Sequence, residues 1–197
     1  VRKSITNKID LDKAKESLGI DKSKMVLTVL GGSLGSKKIN ELIYNNLDYI
    51  KSKEIILIWQ CGKTYYDLYK DQASEDIILY DFISEIDTVY YSSDIIIARS
   101  GALTLSELAI VGKPSILIPS PNVAEDHQYH NAKAISDLDA AICLVEKEAD
   151  LLFKSKLDML IKDESYRKNI ASNISKLASP DASIEIVSKI KNHLSHE

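Results

Sequence analysis

Residues 25–40 read MVLTVLGGSLGSKKIN: an apolar run, a glycine-rich turn and the opening of a helical pattern. A run apolar on both faces belongs to a strand in a parallel sheet, covered by helices on each side. In the turn, Gly31, Gly32 and Gly35 allow close backbone approach, Ser33 adds a hydroxyl, and the next helix offers its positive end. Two readings fit: an anion site, or a tight turn whose glycines serve packing alone. The turn is neither GxxxxGK[ST] nor GxGxxG, so ATPase and nicotinamide readings lose support.

Outward from this unit the pattern repeats. Strands are expected at 25–30, 55–60, 77–82, 94–98, 115–119 and 141–145. Helical periodicity falls at 37–51, 63–71, 86–91, 102–111 and 127–137, then at 149–162, 164–177 and 181–194, with Pro180 between the last two. Asp10 is placed to cap a short helix that stops at Gly19. Strand–helix alternation with crossover-length connections predicts a doubly wound α/β fold with a helical C-terminal end. No repeat, low-complexity stretch or linker interrupts the chain, so residues 1–197 read as a single domain.

Composition narrows the function. Net charge is 25 − 29 = −4, which argues against a nucleic-acid partner. No stretch approaches the ~20 apolar residues of a spanning helix. No signal peptide opens the chain, and a start on Val1 is expected of a piece of something longer. Cys61 and Cys143 form no CxxC and read as thiols of a reducing compartment.

Ligands of such sheets bind beyond the carboxyl ends of the strands, which selects the loops 31–36, 60–63, 81–85, 99–102 and 119–127. In ARSGALTLSELAIVGKP (98–114), Ser100 and Gly101 make a turn, and the amides of Ala102, Leu103 and Thr104 face an anion from the first helical turn. Glu107, just over a turn further, suits the hydroxyls of a ribose diol; a solvated surface Glu is the plain alternative. Gly112 should end this helix. In PSPNVAEDHQYHNA (119–132), His127, Gln128 and Asn131 cluster on a helix beginning near Asp126, as sugar-reading polar groups or as surface residues behind an Asp126 cap. In YDFISEID (80–87), Phe82 and the backbone of Ile83 offer a wall and an edge for a base, or simply pack a strand end. The pair His127 and His130 lacks a third metal ligand, and Asp10–Asp12 and Asp137–Asp139 lie at helix edges away from the expected ligand rim, so neither metal nor cofactor is expected. His193 and His196 fall at the terminus, where fraying is expected.

In serial order the chain carries VR at its start, GGSLGSKKIN, IWQCGK, DFI, SDIIIARSGALTLSELA, GKPSILIPSPN, HQYHNA and SPDAS. This succession resembles the C-terminal half of the MurG family of peptidoglycan N-acetylglucosaminyltransferases. The resemblance implies one half of a glycosyltransferase B fold, holding UDP-N-acetylglucosamine (UDP-GlcNAc). Lipid I would be held, and the inner membrane surface met, by an N-terminal domain absent from this chain, which would also supply the catalytic base. It implies a peripheral enzyme on the cytoplasmic face of the membrane that makes lipid II by inverting transfer, with this half inactive alone. It carries roles onto residues already selected. Ser33, Arg2 and the amides of Ala102, Leu103 and Thr104 would hold the diphosphate. Ile83 would pair with uracil through its backbone, Glu107 with the ribose hydroxyls, and Gln128 with the amino sugar. Gly32, Phe82, Arg99, His127 and Asn131 stand as secondary contacts. Two positions depart from the family pattern: Leu34 replaces a Gln common in GGSQG, and His127 replaces the first Gln of a pair. Three other readings share the fold or ligand class. They are the donor half of a split polysaccharide glycosyltransferase, a UDP-sugar 2-epimerase-like domain and a non-enzymatic nucleotide-binding module.

Overall fold

Side chains alternate between two faces along the strands, and the core divides accordingly. Leu27, Val29, Leu57, Trp59, Ile95 and Ile97 enter one buried cluster, while Val26, Leu30, Ile56, Ile58, Ile96 and Ala98 enter the other. Strands buried on both faces need helices on both, as the apolar runs imply. The computed structural model describes residues 1–194, the side chains at 183–185 and 192–194 excepted, so the His193 side chain and all of His196 lie outside what is described.

Six strands form one parallel sheet: β1 (Val26–Leu30), β2 (Ile56–Gln60), β3 (Ile77–Tyr80), β4 (Ile95–Ala98), β5 (Ser115–Leu117) and β6 (Ile142–Cys143). Their order is β3-β2-β1-β4-β5-β6. Leu27 lies opposite Leu57 on one side and Ile95 on the other. The chain runs outward from β1 to β3, returns to β4 beside β1, and runs outward the other way. The loops after β1 and β4 therefore diverge and leave a crevice between them.

Helices α1 (Leu11–Ser17), α5 (Ile86–Ser92), α6 (Ala102–Val111) and α7 (His127–Ser136) supply buried residues to the Val26 face. Helices α2 (Lys37–Tyr44), α3 (Leu47–Lys51), α8 (Ala149–Lys162) and α9 (Glu164–Ser175) supply the Leu27 face. A single turn, α4 (Tyr66–Tyr69), follows β2, and α10 (Ala182–Leu194) closes the described chain. Asp10 caps α1 by accepting from the amides of Asp12 and Lys13, and Gly19 turns left-handed beyond it, both as the sequence predicts. Gly112 ends α6 in the left-handed region, its amide donating to Leu108 O.

Several boundaries differ from expectation. The helix expected over 37–51 breaks at Asn45–Asn46. The Asn46 side-chain amide donates to Leu42 O at 2.7 Å, taking the carbonyl that its own main-chain N–H would use in a continuing helix, and that N–H goes to Ile43 O. The strand expected at 141–145 contracts to two residues, because only Ile142 and Cys143 pair with β5. Strands three and five end at Tyr80 and Leu117, short of Phe82 and Pro119. The stretch 63–71 holds only α4 before a 3-10 turn at Lys70–Gln72. Asp126 does not cap α7: Glu125 and Asp126 both take positive φ, 53° and 51°, and no side chain caps the helix.

Candidate functional site

The glycine turn after β1 is two devices in one. A side chain at Gly35 would strike Cys61 O at 2.2 Å, and one at Gly62 would strike Gly35 Cα at the same distance. These two glycines let the loops after β1 and β2 pack backbone against backbone. Gly32 differs: its φ is +82°, yet a Cβ there would meet nothing within 4 Å. It faces open space at the sheet edge. Gln60 Nε2 donates to Gly32 O at 2.9 Å and the Gly35 amide donates to Gly32 O at 3.1 Å, so the turn is fixed from below. Packing explains Gly35; at Gly32 the left-handed φ calls for glycine, and the residue borders an open cleft.

Across the crevice, α6 begins at Gly101, and no side chain caps this end. The first amides of a helix have no intrahelical acceptor, and the macrodipole adds a positive potential there. Leu103, Thr104 and Glu107 follow at i, i+1 and i+4 and share one face. Between the Gly32 turn and this face lies a cleft of ≈ 230 Å³, whose lining also includes Arg2, Phe82, Ile83 and Tyr90. Residues from six stretches of chain thus converge on one crevice: 2, 30–33, 60, 82–90, 98–99 and 103–107. Ala102 starts the helix but does not line the cleft.

Glu107 is the main surprise. It is 7% exposed, not a solvated surface residue, and its Oε2 accepts a 2.9 Å hydrogen bond from the Tyr90 hydroxyl. Burial, then the Glu107 charge, push the Tyr90 hydroxyl well above its ordinary pKa, so it stays a donor. Phe82 is 39% exposed at the mouth, with Lys63 Nζ 5.8 Å from its ring centroid, whereas Ile83 is buried beneath. Leu34 is 72% exposed and is not part of the cleft lining.

Arg99 stands between this cleft and a second, of ≈ 540 Å³, that includes Gly31, Ser36, Lys37, Lys38, Ser120, Gln128 and Glu146. Its guanidinium joins three segments: Nη1 donates to Ile118 O at 3.0 Å and Glu146 Oε2 at 2.5 Å, Nη2 to Ser36 Oγ at 2.7 Å. Gln128 faces the second cleft while its Oε1 accepts from the Ser120 amide. Ser100 Oγ donates to Gln128 O, and Asn131 Nδ2 donates to Ser100 O. These bonds latch the 119–127 loop onto the β4–α6 turn. His127 lies 2.9 Å from Ala124 O on the surface; neither it nor Asn131 lines either cleft.

The structure thus gathers Arg2, Gly32, Ser33, Phe82, Ile83, Leu103, Thr104 and Glu107 in one place, with Arg99 on the wall and Gln128 next door. Sequence reasoning missed Gln60 and Tyr90. A Gln ending the apolar strand ILIWQ at the ligand edge is a readable signal; nothing local marks Tyr90, whose partner is seventeen residues away. Among the described residues no His, Cys, Asp or Glu group is arranged to hold a metal, and no helix is long and apolar enough to cross a membrane.

A six-stranded parallel sheet with helices on both faces and a crevice at its switch point is the architecture of one Rossmann-like half of the glycosyltransferase B fold. The chain belongs to the glycosyltransferase family 28 C-terminal domain family, which matches residues 26–186. It is 46% identical over 172 residues to the UDP-N-acetylglucosamine--N-acetylmuramyl-(pentapeptide) pyrophosphoryl-undecaprenol N-acetylglucosamine transferase of Flavobacterium psychrophilum, covering 87% of this chain and 47% of that protein. It is 42% identical over 194 residues to the protein of the same name from Cytophaga hutchinsonii, covering 96% and 52%. Acinetobacter baumannii MurG aligns in structure with a TM-score of 0.78 at 25% identity, covering 95% of this chain and 55% of that one. The chain spans about half the length of the curated relatives it matches.

Proposed function

We propose that this chain is the donor-binding domain of an inverting N-acetylglucosaminyltransferase, taking UDP-GlcNAc for transfer to lipid I to form lipid II. The observation that carries the reading is the single cleft shared by the Gly32–Ser33 turn, the α6 N-terminus and Glu107. Its parts match the parts of a uridine diphosphate: an edge and wall for the base at Ile83 and Phe82, a carboxylate for the ribose diol, and amides for the diphosphate. Arg2 adds a cation at the same mouth. Gln128, in the adjoining polar cleft, reads the amino sugar.

In transfer, an acceptor hydroxyl attacks the anomeric carbon while the bond to the diphosphate breaks, and UDP departs with increased negative charge. Donors already aimed at that charge, the first α6 amides and Ser33, stabilise it without reorganising. Closure of a second domain over the cleft would exclude water and bring the acceptor and its base. In this reading residues 1–197 act as one domain that binds donor but transfers nothing by itself. Lipid I and the cytoplasmic membrane surface are met by the other half of a peripheral enzyme of cell-wall synthesis.

Reconstitution tests this. The chain joined to an acceptor half from a relative should convert lipid I to lipid II with UDP-GlcNAc. Release of UDP and a 2-epimerised sugar without any lipid would instead assign the epimerase reaction.

A further inference from the structure

We infer that Tyr90 is a positioning residue for nucleotide recognition: its hydroxyl holds the Glu107 carboxylate in the one orientation that presents Oε1 to the two ribose hydroxyls. The inference rests on the proposed nucleotide site and extends it to a residue on a different helix.

Glu107 has three rotatable side-chain bonds and would lose considerable freedom on engaging a ligand. Tyr90 removes that freedom in advance. Its ring is packed among the α5 and α6 residues of the Val26-face core, 2% exposed, so the hydroxyl is a fixed point. It donates to Oε2 at 2.9 Å. Both residues line the ≈ 230 Å³ cleft, together with Thr104 and Ile83. A carboxylate offers lone pairs on both oxygens. With Oε2 engaged from beneath, Oε1 is the oxygen left to a ligand diol. Burial and the neighbouring carboxylate keep the phenol protonated, so the donor role persists across any working pH. A buried phenol needs an acceptor, and here that acceptor is a carboxylate lining the cleft rather than a backbone carbonyl of the core.

The test compares UDP with 2′,3′-dideoxyuridine diphosphate, which has the same base and diphosphate but neither hydroxyl. Binding is measured by calorimetry on the intact chain, for wild type, Tyr90→Phe, Glu107→Ala and the double variant. Tyr90→Phe removes one oxygen and keeps the ring, and thermal melts without ligand verify folding. Wild type should prefer UDP by about 10- to 100-fold, the value of hydrogen bonds to a charged group. Tyr90→Phe should lower that preference roughly five- to tenfold while dideoxy-ligand affinity stays within about twofold, and should have no further effect once Glu107 is Ala. Equal weakening of both ligands would make Tyr90 a structural residue only, and an unchanged preference would dismiss the pair; either overturns the inference. If wild type binds UDP but shows no ribose preference, the role of Glu107 falls and the inference with it. If wild type binds neither ligand, the nucleotide site itself is wrong.

Discussion

Arg99 ties three segments of the sheet edge together, and replacing it should loosen all three. The informative substitution is Arg99→Met, which keeps most of the apolar stem and removes the guanidinium. Two bonds to neutral acceptors disappear, at Ile118 O and Ser36 Oγ, each worth about 1 kcal/mol net. The ion pair with Glu146 disappears as well. Breaking a buried pair from one side costs about 3–5 kcal/mol. Both side chains here keep 19% exposure, so water can still reach Glu146 and the low end of that range, or less, applies. The expected loss is about 3 kcal/mol in total, since the orphaned groups share whatever water enters. For a chain of this size that is a fall in Tm of roughly 6–12 °C. Adding Glu146→Leu removes the stranded carboxylate and should return at least half of the loss. Calorimetric melts of the wild type and the two variants measure it. A shift under about 2 °C for Arg99→Met, or no recovery in the double variant, would refute the view that Arg99 is a clamp.

Three further outcomes follow from the same geometry. Glu107→Ala should weaken UDP binding by about 1.5–3 kcal/mol, read by calorimetry; unchanged affinity would return Glu107 to a structural role. Gly62→Ala, which drives a Cβ to 2.2 Å from Gly35 Cα at φ +89°, should lower the urea midpoint by an amount equivalent to roughly 2–4 kcal/mol. Burial lowers the Lys113 pKa to about 8, with its Nζ on Tyr91 O. The unfolded chain therefore holds more protons than the folded one between pH 8 and the ordinary lysine value of about 10.4. Stability of wild type relative to Lys113→Met should rise through that window and stay flat below it, which urea titrations at pH 7, 9 and 10.5 measure.

How much of this was legible in the sequence depends on the range of the interactions. Strands such as IILIW and IIIA announce themselves because burial on both faces leaves no polar position. Asp10, Gly19 and Gly112 are readable because a cap or a left-handed stop acts over a few residues. The loops of the site follow once the sheet is parallel, since its carboxyl edge collects them. What escapes is set by contacts distant in sequence. The clamp made by Arg99 draws on residues 36, 118 and 146. Glu107 is selected from the sequence, but its bond from a tyrosine on the preceding helix, seventeen residues away, is not. The break at Asn46 turns on which of two amides reaches Leu42 O, a choice periodicity does not register. The bond from the Asn131 amide to Ser100 O likewise joins residues thirty-one apart, beyond the reach of local pattern.

The central claim is that the cleft recognises a uridine diphosphate carrying an amino sugar. Titration calorimetry of the chain with UDP, UDP-GlcNAc and ADP tests it most directly. The account predicts saturable binding of both uridine ligands and an affinity for ADP lower by about tenfold or more, because in the proposed reading the backbone of Ile83 pairs with uracil and would not match adenine. Equal affinity for UDP and ADP, or no binding of either uridine ligand, would contradict it.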